Sequence, residues 1–402
     1  MANAIESESP ASETGATRRI LLFDTTLRDG EQAPGNGMDP HQKVDFALAL
    51  EDVGVDVIEA GFPASSPSDR ESVKKVVEAL RSAHVATLNR PVHDDIKISI
   101  DVAGTENHHL QIMATGSDIH LDHKRGISRA AAQTEVVDAI ALSKSLGVRH
   151  VIAAIEDASR GPDDLLRPLI QECTAAGADG ITVADTTGCM LPAEYGALVS
   201  RIRGWVPAHI TVATHCHEDM GLALANALAG IAAGANEVQA TLAGIGERAG
   251  NTAIEELIAV LIYRGAYMGC ATSAKSENLA AAFEILRRHI NLPVPRNKAI
   301  FGSNAFSTQA GIHQAGVLRA PVTYEFVEPQ RFGRERGILV GRHSGRAVVR
   351  HVLRDLTDDL DDELVERVYS EHVVTRRGYD FLELGELSQA IRESGLLERT
   401  LI

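Results

Sequence analysis

No apolar run in this sequence approaches the roughly 20 residues that a membrane-spanning helix needs. Residues 1–17 are small and polar, rich in Ser, Ala and Glu, and contain no apolar signal core, so they read as a flexible, non-targeting tail. A C-x-x-C pair is also missing. The four cysteines, Cys173, Cys189, Cys216 and Cys270, stand apart in or beside regular elements and read as ordinary reduced thiols of a cytoplasmic protein. Basic residues are scarce: 39 Lys and Arg against 55 Asp and Glu give a formal net charge of −16. That balance opposes a nucleic-acid or membrane-surface partner, though not a small anion held by local arginines. Low-complexity stretches are absent from the folded part, and Gly30 alone follows the first apolar run, so no Gly-rich nucleotide turn is present.

What is present is a repeated alternation. Eight short apolar or β-branched runs, Ile20–Asp24, Val55–Ala60, Val85–Leu88, Leu110–Thr115, His150–Ile155, Gly180–Asp185, Ile210–Thr214 and Glu237–Leu242, each precede an amphipathic stretch. Helix starts are signalled at Asp39-Pro40, Pro162 and Pro192, and Ser68–Leu80 has apolar spacing of three and four. Eight right-handed β/α units close a barrel of about 250 residues. The sequence has 402 residues, of which 44% are hydrophobic and 23% charged, so a barrel with an appendage is expected. The α/β reading is a (β/α)8 barrel over 18–270, its last helix ending near Gly265, followed over 271–402 by small, mostly helical linker subdomains. In that second part, 275–290 reads as a helix, Leu292-Pro293-Val294-Pro295 as a break, Gly302–Gly316 as loop-rich, and Ser344–Leu356 as a helix. The acidic run Asp358–Glu363 reads as a solvated start leading into two final helices.

His215-Cys216-His217 ends the seventh run. Side chains i and i+2 of a strand share a face, so both imidazoles converge on one site while Cys216 points away into packing. Asp24 ends the first run, and parallel barrel strands bring their carboxyl ends to one face, so Asp24 is the expected third ligand of a metal clamp. His-x-His pairs also end strands that bind no metal, and the residues alone leave that open.

Four motifs in order decide more: Phe23-Asp24-Thr25-Thr26-Leu27-Arg28-Asp29-Gly30-Glu31-Gln32, Glu59-Ala60-Gly61-Phe62-Pro63, His215-Cys216-His217-Glu218-Asp219-Met220-Gly221 and Gly244-Ile245-Gly246-Glu247-Arg248-Ala249-Gly250-Asn251. With them, roughly residues 20 to 350 closely resemble the isopropylmalate synthase and homocitrate synthase family. The resemblance implies condensation of acetyl-CoA with an α-keto acid and thioester hydrolysis to a 2-substituted malate. It implies Asp24, His215, His217 and Asn251 as ligands of a divalent ion, Mg2+, Mn2+ or Zn2+, with positions left for water and the keto acid. Arg28 would stabilise the developing alkoxide, its alternative being an ion pair with Asp29 or Glu31. Glu156 would be a catalytic glutamate, its alternative a loop ion pair with Arg160. His313, in Gly311-Ile312-His313-Gln314, would be the base and Tyr324 its assistant; in the family this segment can come from the partner subunit, which implies a homodimer. Relatives carry His at the position of Thr308 and Asp at that of Ala315, so an orienting partner of His313 is missing here.

Substrate contacts are expected from Arg28, Arg90, Gln111, Met113, His120 and Thr186. Gln111-Ile112-Met113 replaces the His-x-Phe of relatives that use 2-ketoisovalerate, and Asn89 and Pro91 depart from the usual small residues around Arg90. Arg125 stands where isopropylmalate synthases commonly have Leu; it suits an anionic substrate tail, carboxylate or phosphonate, or else a solvated surface position. Isopropylmalate synthases commonly carry a further leucine-binding domain, and the sequence ending at Ile402 suggests none here. The expectation is a 2-alkylmalate synthase of leucine biosynthesis or specialised metabolism. Alternatives are a homocitrate, phosphonomethylmalate or benzylmalate synthase, a metal-dependent lyase or decarboxylase of the same superfamily, and a non-enzymatic binding barrel.

Overall fold

The computed structural model describes residues 17–378 and 380–397, so the expected tail lies, apart from Thr17, outside the described residues. Eight parallel strands close the barrel: β1 (Leu21–Asp24), β2 (Val57–Gly61), β3 (His84–Asn89), β4 (His108–Thr115), β5 (His150–Glu156), β6 (Gly180–Asp185), β7 (Thr211–Cys216) and β8 (Glu237–Ala240). Closure is made by β1, which pairs with β2 on one side and with β8 on the other. All eight expected runs are strands. All six residues of β6 are buried, as a strand covered on one face by the barrel interior and on the other by helices must be.

The helices between strands start where the sequence signals them. Helix α1 (Pro40–Val53) has Pro40 in its first turn; Asp39 accepts the His41 and Gln42 amides, and Gly54 ends it at φ 87°. Helices α2 (Pro67–Ala79), α3 (His93–Ala103), α4 (Arg129–Ser145), α5 (Asp163–Ala175), α6 (Pro192–Trp205), α7 (Ala223–Ala232) and α8 (Ile254–Arg264) complete the outer ring. None of the helices among the described residues is long and apolar enough to cross a membrane.

The first compact unit extends beyond the expected boundary at 270. Cys270–Ala271 pairs in parallel with Arg18–Arg19, and α9 (Leu279–His289) packs on α1, so this unit runs to Pro293. The second unit, from Val294, holds a small sheet in which β9 (Ser307–Thr308) lies parallel to β10 (Gly337–Val340) and β10 antiparallel to β11 (Leu382–Glu383). Its helices are α10 (Gly311–Arg319), α11 (Arg346–Arg354), α12 (Asp362–Tyr369) and α13 (Leu384–Glu393), closed over Val348, Val352, Leu364, Val368, Leu387 and Ile391. One detail differs from expectation. Residues 311–316 are helical and not part of the loop-rich stretch, so His313 sits in the first turn of α10. The acidic run is a helix start as expected, with Asp361 capping α12 by accepting the Leu364 amide and Asp362 and Glu363 in its first turn.

Candidate active site at the barrel mouth

The carboxyl ends of the strands surround a pocket of about 370 Å3 whose wall includes Arg28, Asp29, Met113, Glu156, Thr186, His215 and His217. His215 and His217 do converge: their Nε2 atoms are 3.3 Å apart, and Asp29 Oδ2 lies 3.6 Å from His215 Nε2. These three residues are a group able to hold a metal ion. The acidic member is therefore Asp29, and the expectation of Asp24 is corrected.

The reason lies in the turn after β1. The Asp24 carboxylate bends back to accept the Thr26 amide at 2.8 Å and the Thr26 hydroxyl at 2.9 Å, an Asx-type closure wholly buried beneath the pocket. Residues Thr26–Gly30 then make one wide turn in which the Thr25 carbonyl accepts the amides of Arg28, Asp29 and Gly30. Asp24 shapes this turn, and the turn carries Arg28 and Asp29 to the pocket.

Electrostatics separates the two carboxyls. Burial, reinforced by Glu59 and Glu255 and opposed by the Thr26 hydrogen bonds, pushes Asp24 up to about 7. Burial would also raise Asp29, but Arg28, His215 and His217 together hold its carboxyl well below the usual range. Burial drives His215 down to about 3, with His217 adding to it, and burial lowers His217 as well. At neutral pH the group is thus one carboxylate and two neutral imidazoles, the protonation states that bind metal. Among the described residues, Asn251 Oδ1 is buried with no hydrogen-bond partner, as an oxygen ligand awaiting a cation would be.

Asn251 is brought in by a bridge to His217 and donates its amide to Asp29 Oδ1 at 2.9 Å. Gly246 has to be glycine for this: a Cβ there would collide with the Asn251 amide and lie 3.0 Å from the Asp29 carboxylate, at a φ of 153°.

A buried polar chain crosses the barrel and fixes the His215 tautomer. Glu59, fully buried, accepts from Arg28 Nε at 2.6 Å, from the Thr25 hydroxyl at 2.5 Å and from Gln111 Nε2 at 2.6 Å. Gln111 must therefore present its oxygen to Gln239 Nε2, at 2.7 Å, and Gln239 its oxygen to His215 Nδ1, at 3.0 Å. The proton then sits on Nδ1, and Nε2 is left as the ligand atom. Sequence reasoning missed Asp29, Glu59 and Gln239. The last two carried a signal, a lone polar residue inside the apolar runs Val57-Ile58-Glu59-Ala60 and Val238-Gln239-Ala240.

The other expected residues divide. Arg28 faces the pocket while paired with Glu59 and, at 2.7 Å, with Asp29; the alternative pairing with Glu31 is not formed, because Lys43 takes that carboxylate at 2.5 Å. Glu156 lines the pocket with Lys124 Nζ at 2.6 Å and His120 Nδ1 at 3.3 Å, whereas Arg160 pairs with Asp157 instead. Met113 and Thr186 line the pocket as expected, and Gln111 does so with its amide already engaged. His120 stands behind Glu156 and outside the pocket wall. Arg90 is not part of the pocket wall: its fork grips Asp95 at 2.7 and 2.9 Å on the first turn of α3, with the guanidinium 5.7 Å over the ring of Phe62, a wall residue. Arg125 is likewise corrected, since its guanidinium bonds Glu135 of α4 at 2.5 Å and is absent from the pocket wall. His313 and Tyr324 belong to the second unit, where their rings are 4.3 Å apart. Gly316, one turn on in α10, admits that contact, because a Cβ would meet the Tyr324 ring at 2.7 Å.

Comparison with known proteins agrees with this architecture. The HMGL-like family model matches residues 19–285, and a model described as homocitrate synthase post-HMGL domain-like matches 300–375. Proteins named 2-isopropylmalate synthase from Xanthomonas axonopodis pv. citri (strain 306) and Stenotrophomonas maltophilia (strain K279a) are 42% identical over 83% of this chain. The chain spans 65% of the length of these curated relatives. Among solved structures, an HMG-CoA lyase from Pseudomonas aeruginosa superposes with a TM-score of 0.61 at 19% identity, covering 69% of this chain and 95% of that one. Another from Acenitobacter baumannii, in complex with coenzyme A and 3-methylmalate, gives 0.59 at 21% identity over 70% of this chain and 94% of that one. The closed barrel and the match over 19–285 together establish that the chain belongs to the HMGL-like family.

Proposed function

We propose that this chain is an acyltransferase of the 2-isopropylmalate synthase type, which joins acetyl-CoA to a small α-keto acid and releases CoA and a 2-substituted malate. The observation that carries the reading is the mouth itself: one carboxylate, two neutral imidazoles and a guanidinium around a pocket of about 370 Å3. The 42% identity to relatives of that name supports it.

Asp29, His215 and His217, with the Asn251 oxygen beside them, would hold a divalent ion, Mg2+, Mn2+ or Zn2+, which supplies Lewis acidity to a keto oxygen when bound. Arg28 holds a preorganised positive charge at the same wall, fixed by two carboxylates, where the keto oxygen becomes an alkoxide; removing such a donor costs about 100- to 1000-fold in turnover. Thr186 lines the pocket, and its hydroxyl, which accepts the Asp157 amide at 2.8 Å, keeps its proton to donate to the keto acid's carboxylate. The reaction removes a proton from the acetyl methyl group, forms a carbon–carbon bond to the keto carbon, and uses one water to break the thioester, so CoA leaves as the thiol. We assign the methyl proton to His313, with Tyr324 as its ring neighbour in place of the aspartate that Ala315 replaces. The active unit in this reading is a homodimer in which that segment serves the partner's barrel. The unlinked cysteines accord with a reducing, cytoplasmic compartment.

The side chain of the keto acid meets Phe62, Leu88, Met113, Ala154 and Ala184. Two guanidiniums line the pocket, and both are paired, Arg28 with Glu59 and Asp29 and Arg248 with Asp219. With Arg125 turned to Glu135, nothing on this wall favours an anionic tail, so the pocket suits a branched aliphatic keto acid over a homocitrate or phosphonomethylmalate precursor. The test is CoA release from acetyl-CoA across a panel of keto acids. Highest kcat/KM with a branched aliphatic acid is expected; preference for a dicarboxylate would overturn the substrate assignment. Release with no keto acid, or cleavage of a hydroxyacyl-CoA instead, would overturn the reaction.

A further inference from the structure

The opposite end of the barrel holds a second convergence of imidazoles. Along β4 the inward-facing positions alternate as His109, Gln111 and Met113, from the amino end to the mouth. On β3 the same face reads His84, Ala86, Leu88, and on β5 His150, Ile152, Ala154, Glu156. The lowest inward layer of three adjacent strands is therefore three histidines, where barrels ordinarily place bulky aliphatic side chains. Register makes them neighbours, because His109 lies directly beside His150 across the β4–β5 ladder.

Their geometry is that of a ligand set. His84 Nδ1 and His109 Nε2 are 3.0 Å apart, and one nitrogen from each of the three rings lies within 4.8 Å of the others. Two nitrogens on a tetrahedral zinc ion stand roughly 3.3 Å apart, so small ring rotations suffice. His109 Nδ1 is buried with no partner among the described residues, so either tautomer of the neutral ring leaves an unmet hydrogen bond. They line a cavity of about 500 Å3 that also contains the buried carboxyl of Glu237.

We propose that His84, His109 and His150 form a second metal site, at the amino-terminal end of the barrel, for a transition ion of the zinc class. Three imidazoles select borderline ions such as Zn2+ or Co2+ over Mg2+ and Ca2+, which want oxygen. The fourth position opens onto the cavity. Such an ion ties β3, β4 and β5 together at the end opposite the chemistry, and the site stands independently of the function proposed for the mouth.

The experiment uses the full chain, stripped by chelation, dialysed against Zn2+ or Co2+ and assayed for bound metal by elemental analysis. A His215→Ala/His217→Ala background removes the mouth site. One equivalent should remain there, with a tetrahedral Co2+ visible spectrum and a melting temperature that rises with Zn2+ and not with Mg2+. Adding His109→Ala should abolish all three signals. His150→Gln, at the half-buried start of β5, serves as a second variant whose fold is checked by circular dichroism. Metal content below one equivalent in the background protein, or one equivalent that survives both substitutions, overturns the proposal.

Discussion

Replacing Asp29 and Asp24 separately by asparagine distinguishes the two carboxyls near the mouth. Asp29→Asn removes the only anion among the three convergent groups while keeping its shape. Substitutions of residues that merely support a ligand weaken metal binding by about 10- to 100-fold, so loss of the charged ligand itself should cost at least about 100-fold, or roughly 2.7 kcal/mol. Asp24→Asn touches none of the convergent nitrogens; its amide oxygen can still accept the Thr26 amide, so the cost falls on stability, at about 1 kcal/mol for a weakened hydrogen bond. Metal affinity measured by calorimetric titration against a competing chelator reads the first effect, and urea denaturation reads the second. Acidity gives an independent check. Asp29 lies well below the usual carboxylate range and His215 near 3, so neither gains a proton between pH 8 and 6, and His217 is lowered too. Neither Asp29 nor His215 should therefore make affinity at the mouth fall across that interval. A ligand titrating at about 7, as Asp24 does, would instead lose affinity steadily below neutrality. Retained binding in Asp29→Asn with lost binding in Asp24→Asn would refute the reassignment.

Gln239→Leu should lower metal affinity at the mouth by about 10- to 100-fold, because the acceptor that holds the His215 proton on Nδ1 is gone; unchanged affinity would mean the tautomer is set elsewhere. His313→Ala should reduce turnover by at least about 100-fold, and mixing it with inactive His217→Ala protein should restore part of the activity if the segment serves the partner; no restoration would place the base within its own chain. Arg125→Ala should leave keto-acid selectivity unaltered and cost about 0.2–1 kcal/mol of stability, the worth of a partly exposed ion pair, whereas a shift in preference would put Arg125 back at the substrate. Burial, helped by Asp56, raises Glu237 to about 8, so the protonated carboxyl favours the folded state and that stability is lost as pH rises from about 4.5 through 8. Glu237→Gln in chelated protein should flatten the decline, by up to about 1.4 kcal/mol per pH unit, and an unchanged urea profile at pH 8 would contradict it.

The barrel was legible because strands covered on both faces are written as continuous apolar runs, and all eight stand out between helix-starting prolines and serines. The His215 and His217 pair was legible for a related reason, since strand alternation runs through β7 to His217, the residue just past its end, which bridges to Asn251. Alternation ceases where a strand ends. Asp24 closes β1 and reads as a ligand, yet the wide turn beyond it delivers Asp29, and no periodicity foretells a Thr25 carbonyl shared by three amides. Arg125 fails differently. Whether a guanidinium faces a pocket or pairs with Glu135 depends on the meeting of a turn with α4, a tertiary matter that local sequence does not encode.

The Gln111 position gains a different meaning from the chain it belongs to. As a departure from His-x-Phe it invited a reading as a selectivity residue, but its amide nitrogen is held by Glu59 and its oxygen by Gln239. Turning the amide toward a substrate would leave a fully buried carboxylate short of a donor, a loss of about 1–3 kcal/mol or more for a charged group, and would release the His215 tautomer as well. A keto acid that needed Gln111 would thus weaken the metal seat on which its own activation rests. Selectivity is better carried by residues free of that chain: Phe62, Leu88 and Met113 can change shape without touching any proton that the metal ligands depend on. The same layer of Gln111 and Gln239 lies between the mouth and the histidines at the amino end, so the two clusters share one barrel interior through side chains whose hydrogen bonds run in a single direction.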